Sequence, residues 1–153
     1  MKVIFLDFDG VITSKNGYSL DPEKMELVKK ICDETGAYIV VSSSWRRFAL
    51  EDTIKSITEV CDSLPVPFLM PERIIGVTPR MYAFKYVNPK EHFIVPRGYE
   101  IERYLEEHKD IEKYVIIDDE NDMLLCQKPF FIKINSKSGI SKKDVEKAIK
   151  LLS

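Results

Sequence analysis

The sequence predicts a single α/β domain over residues 1–153, built on a doubly wound parallel sheet. Short apolar runs alternate with longer segments of helical periodicity along the whole chain. The first run, Val3-Ile4-Phe5-Leu6, lacks polar alternation, as expected of a strand covered by helices on both faces. No internal repeat, low-complexity tract or long linker interrupts that order.

Each element has a local reason. Residues 2–7 form the first strand. Asp21 offers an N-cap, Pro22 takes the first helical position, and Gly36 lies just past the helix end. Between them Leu27, Val28 and Ile31 recur at helical spacing. Ala37 to Val41 is the second strand, and a helix over about residues 46–61 follows, with Leu50, Ile54, Ile57 and Cys61 on one face. Arg73 to Val77 reads as the third strand. Tyr82, Phe84 and Tyr86 then alternate with Ala83, Lys85 and Val87, and His92 to Val95 returns across Asn88-Pro89, which predicts an inserted hairpin. Ile101, Tyr104 and Leu105 set a helix over 98–108. Lys113 to Ile117 and Phe130 to Ile134 are the fourth and fifth core strands. Ser141 with Asp144 resembles a capping box before a last helix whose Val145, Ala148, Ile149 and Leu152 face inward.

Composition narrows the function classes. Net charge is −2 with acids and bases interspersed, so no global field argues for nucleic acid or an anionic membrane. No apolar stretch approaches the ~20 residues of a membrane span, and the N-terminus lacks a signal-peptide profile. Cys32, Cys61 and Cys126 are dispersed without any C-x-x-C, and the first two fall on apolar helix faces. The expectation is a reduced, cytoplasmic protein. His92 and His108 have no metal-ligand spacing.

The chemistry lies in the acids. Asp7 and Asp9, separated by one residue, close the first strand, and Asp118, Asp119 and Asp122 follow the fourth. Buried carboxylates are costly unless they pair, protonate or hold a metal. Neighbouring parallel strands would bring both clusters to the carboxyl edge of the sheet, where open α/β folds place their sites. Mg2+ takes hard oxygen ligands, which Asp7, Asp118 and the backbone carbonyl of Asp9 can supply. Asp7 could then attack a phosphoryl group to give an aspartyl-phosphate, with Asp9 as general acid and base. Ser42 and Ser43, at the end of the second strand, suit a phosphate oxygen or simply cap the following helix. A cation must balance the developing charge. Arg97 is the first choice, with Lys85 and Lys90 behind it. Arg46 either clamps a phosphate or packs beside Trp45 at the helix start.

Asp7-Phe8-Asp9-Gly10-Val11 resembles the first motif, D-x-D-G-[VT], of the haloacid dehalogenase (HAD) superfamily. Val40-Val41-Ser42 is similar to its second motif, and Ile116-Ile117-Asp118-Asp119-Glu120-Asn121-Asp122 to its fourth. The resemblance implies a Rossmann-like fold, Asp7 as nucleophile, Asp9 as acid/base, Asp118 as metal ligand, and Asp119 and Asp122 as outer groups orienting water. Asn16-Gly17 falls where the superfamily carries a β-hairpin flap. Ser42-Ser43-Ser44-Trp45-Arg46 and Arg97-Gly98-Tyr99-Glu100-Ile101 are further similar to the small HAD domains associated with Swiss Army Knife RNA-repair proteins.

A flap and a minimal cap imply an open cleft, suited to a phosphorylated substrate such as a nucleic-acid 5′ or 3′ end. Tyr82, Phe84 and Tyr86 either stack bases or pack the hairpin onto the core. The alternative class is a non-catalytic module that binds a phosphorylated partner. A response-regulator receiver fits less well, since its phosphoacceptor ends the third strand. A dehalogenase has no need of Asp9.

Overall fold

The computed structural model describes residues 1–15, 17, 19–61, 70–84 and 92–153, with the backbone alone for 83–84 and 92–94. Lys85, Lys90, Tyr86 and the Asn88-Pro89 turn lie outside the described residues. Five parallel strands, β1 (Lys2–Leu6), β2 (Tyr38–Val41), β3 (Ile74–Val77), β6 (Lys113–Asp118) and β7 (Phe131–Lys133), form one sheet in the order β3-β2-β1-β6-β7. The helices are α1 (Pro22–Thr35), α2 (Leu50–Cys61), α3 (Arg97–Glu107) and α4 (Lys142–Leu152). This is the Rossmann-like α/β architecture that the sequence predicts.

Side-chain alternation along the strands builds two cores. Ile4 and Leu6 join Ile39, Val41, Val115 and Ile117 beneath α1, α2 and α4. Val3, Phe5, Val40 and Ile116 point the other way, onto Ile101 and Tyr104 of α3. Both faces are dry, which is why β1 reads as an unbroken apolar run.

Local signals explain the helix ends. The Asp21 side chain accepts from the Glu23 amide, and Gly36 closes α1 at φ 72°, a left-handed conformation that glycine adopts without a Cβ penalty. Ser141 and Asp144 make the reciprocal capping box at α4.

The two insertions are small. Thr13 and Leu20 pair in an isolated bridge at the expected flap. β4 (Tyr82–Phe84) and β5 (His92–Ile94) pair antiparallel as the inserted hairpin.

One boundary is corrected. The helix expected from about residue 46 begins at Leu50, because residues 42–49 are folded into a loop by side-chain contacts. The Arg47 amide donates to the Thr53 hydroxyl at 2.7 Å, and Arg46 is drawn into the interior by Glu100. Its Nη2 lies 2.6 Å from Glu100 Oε2, and both side chains are almost wholly buried. Among the described residues no helix is long and apolar enough to cross a membrane.

Candidate active site

The site begins with strand register. Leu6 pairs with Val41 on one side and Ile117 on the other, and Val41 pairs with Val77. The next residue on each strand is therefore Asp7, Ser42, Asp118 and Thr78, four polar groups at one level of the carboxyl edge. The Asp7 amide donates to the Ile117 carbonyl at 3.0 Å, so Asp7 is still held by the sheet.

Asp7 is 5% exposed and Asp118 1%. With Asp119 each offers a carboxylate oxygen, and the three lie within 4.8 Å of one another. Burial pushes the Asp7 carboxyl up to about 6, against the pull of Arg97, the Phe8 amide and Ser43. Burial, then the charge of Asp7, pushes Asp118 up to about 7. Asp118 Oδ1 accepts from the Glu120 amide at 2.8 Å, while buried Oδ2 accepts no hydrogen bond. Three hard oxygens, one of them without a hydrogen bond among the described residues, fit a divalent cation. Asp119, expected as an outer group, contributes an oxygen to this same cluster.

Arg97 reaches this floor across ninety residues of sequence. Its Nη1 lies 3.2 Å from Asp7 Oδ1 and 3.5 Å from Asp118 Oδ2. Asp122 explains how. Its Oδ2 accepts from the Arg97 amide at 2.8 Å, so the loop after β6 caps α3, whose own Pro96 offers no capping side chain. Asp122, expected as an outer group, thus also positions the helix that carries Arg97.

Asp9 sits apart on the rim, exposed to solvent. The Trp45 indole donates to its Oδ1 at 2.9 Å, and the Ser44 hydroxyl to its Oδ2 at 3.1 Å. Trp45 also packs on Phe8, with ring centroids 5.5 Å apart. Gly10 makes the turn between the two acids' surroundings. It has φ 73°, and a Cβ there would lie 2.3 Å from Asp119 Oδ2.

Among the serines, Ser42 stands out. Its amide donates to the Leu6 carbonyl at 2.9 Å, and its buried hydroxyl has no hydrogen-bond partner among the described residues. Helix capping does not explain it, since α2 starts eight residues later. Ser43 Oγ accepts from the Trp45 amide at 3.3 Å, a local turn.

Arg46 is a correction. Nη2 is committed to Glu100 and Nη1 to the Ser43 carbonyl at 3.0 Å, so it posts the loop onto α3 instead of clamping a phosphate. Glu100 also accepts from the Met81 amide at 3.0 Å, tying in the entry to β4.

Trp45 and Ser44 as holders of Asp9, and buried, unpartnered Thr78, are additions that sequence reasoning missed. Thr78 carried one signal, a polar residue directly after an apolar run. The Trp45–Asp9 bond carried none, because it joins residues 36 apart.

Residues 3–145 match the family model described as the HAD domain in Swiss Army Knife RNA repair proteins. The chain belongs to this family. No curated protein matches it. As a HAD domain it is of the phosphohydrolase type in general terms, and Asp7, Asp118 and Asp119 form a cluster of acids that could hold a metal ion.

Proposed function

We propose that this HAD domain is a Mg2+-dependent phosphomonoesterase that works through an aspartyl-phosphate on Asp7. The observation that carries the reading is the division between a buried Asp7, facing Arg97 at 3.2 Å, and an exposed Asp9 held by Trp45 and Ser44. Asp7, Asp118 and the Asp9 carbonyl, with Asp119 in the same cluster, would hold Mg2+, which offsets the charge of the acids and of the incoming phosphate.

The remaining work belongs to the chain's own residues. An Asp7 oxygen attacks phosphorus as the bond to the leaving oxygen breaks, and that oxygen takes the proton of Asp9. Asp9, now a carboxylate, accepts a proton from water. The water oxygen attacks phosphorus, the Asp7–phosphorus bond breaks, and inorganic phosphate leaves. Arg97 balances the negative charge that develops, and the unpartnered Ser42 hydroxyl supplies a donor to a phosphate oxygen.

The RNA-repair description of the family supports a phosphate at a nucleic-acid 5′ or 3′ end as substrate. The short flap and hairpin support a cleft open enough for such an end. Three free cysteines, two of them buried, suit a reducing cytoplasm.

The test is phosphate release from an aryl phosphate, nucleotides and end-phosphorylated oligonucleotides, with Mg2+ or with chelator. Asp7→Asn should lower metal-dependent release by at least about 10³-fold. Full release by that variant would sink the mechanism. Phosphate-analogue binding without any turnover would favour a module that only binds.

A further inference from the structure

Beside the acid floor lies a cavity of opposite character. It measures about 420 Å³ and is lined by Lys15, Lys24 and Lys137 with the hydroxyl residues Thr13, Ser14 and Ser136, while Gly10 and Gly17 complete its wall. Among the described residues no carboxylate lines it, although the chain as a whole carries a net charge of −2. Three ammonium groups around one concavity repel each other, and an anion between them removes that cost.

The lysines are not equivalent. Lys24 is built into the wall, since its Nζ donates to the Thr13 carbonyl at 2.8 Å and lies 3.9 Å from Asp21. Lys15 and Lys137 have no carboxylate within ion-pair distance among the described residues. They come from opposite banks, the flap and the loop after β7.

The cavity adjoins the reacting centre through a single residue. A Cβ on Gly10 would lie 2.3 Å from Asp119 Oδ2 on one side and 3.1 Å from Ser136 Cβ on the other. Gly10 is thus a thin partition between the metal-capable acids and the basic cavity. Its amide donates to the Thr13 hydroxyl at 3.1 Å, which ties the partition to the cavity wall.

We propose that this cavity is a second anion subsite, holding the non-reacting phosphate of a substrate that carries two phosphates. The proposal rests on the phosphohydrolase reading of the neighbouring acids, and it specifies that reading. A lone phosphate monoester fills the acid floor only. A nucleotide with phosphates on both sides of one ribose, the repeat of a nucleic-acid chain, can meet Asp7 with one and Lys15 and Lys137 with the other.

Calorimetric binding of adenosine 3′,5′-bisphosphate, adenosine 5′-monophosphate and adenosine 3′-monophosphate to the full chain with Mg2+, carrying Asp7→Asn so that the ligands are not consumed, tests this directly. The bisphosphate should bind about tenfold or more tightly than either monophosphate, the scale of one or two charge-assisted hydrogen bonds. In that background Lys15→Ala/Lys137→Ala should bring the three ligands close to parity, and Lys15→Arg/Lys137→Arg should keep the preference. Equal binding with both lysines present, or a preference that survives the double alanine change, would overturn the subsite. Turnover of an aryl phosphate by the wild type reports separately on the acid floor. Turnover without bisphosphate preference removes the subsite and leaves the phosphohydrolase. A preference without turnover keeps the subsite and removes the mechanism.

Discussion

The floor and the rim of this site hold the same functional group under different conditions. On the floor, Asp7 and Asp118 are dry and close together, so their charged forms are disfavoured and both carboxyls are raised, to about 6 and about 7. On the rim, Asp9 is open to solvent and accepts from an indole and a hydroxyl. Asp7 and Asp9 are separated by one residue, and the chain leaves the sheet between them: β1 ends at Leu6, and Asp9 stands with Gly10 in the turn that follows. The lesson is that two identical side chains acquire different properties from their surroundings, and the proposed mechanism uses that difference, with Asp7 held by a cation beside Arg97 and Asp9 meeting water and the leaving group.

The comparison breaks most sharply at the rim acid itself. Asp9→Asn should keep the floor intact and lower kcat by about 10²–10⁴-fold, the ordinary worth of a positioned acid/base. Binding of a phosphate analogue with Mg2+ should change little. Steady-state kinetics beside calorimetry checks both parts, and a variant with wild-type kcat would remove Asp9 from the reaction.

A smaller effect is expected from the group that holds it. Trp45→Phe keeps an aromatic ring near Phe8 but loses the donor to Asp9, and should cost about tenfold in kcat. KM should stay near its wild-type value. A change in KM alone would assign Trp45 to substrate binding.

The floor has its own signature, in stability. The ordinary value for both acids is 3.8, and both are higher in the folded chain, so the folded state holds more protons than the unfolded one between those values. Their contribution to stability is present below the ordinary value and is lost as pH rises through about 6 and 7. In chelator the melting temperature should therefore fall by several degrees between about pH 5 and pH 8, and Mg2+ should restore more at the higher pH. Asp118→Asn should flatten the trend. A melting temperature that rises over this range and ignores Asp118→Asn would contradict the assignment.

Much of this was legible along the chain. The β1 and β6 runs announced dry strands, the Asp21-Pro22 start and the Ser141/Asp144 box announced helices, and the acids that end the strands announced the site. Asp7 and Asp118 meet because their strands pair, and the strands were readable. The α2 start was not, since helix propensity from residue 46 loses to the buried Arg46–Glu100 pair and the Arg47–Thr53 bond. Those contacts join segments that no local pattern connects.

The sequence by itself determined the period of each element, its caps and the residue type standing at each strand end, because these depend on neighbours a few positions away. Only the tertiary structure decided which distant groups meet them: Arg97 on Asp7, Trp45 on Asp9, Glu100 on Arg46, and Lys15 facing Lys137 across one cavity. The physical reason is that side-chain pairing follows from where the packed sheet and helices deliver their loops, a property of the whole fold and of no single stretch within it.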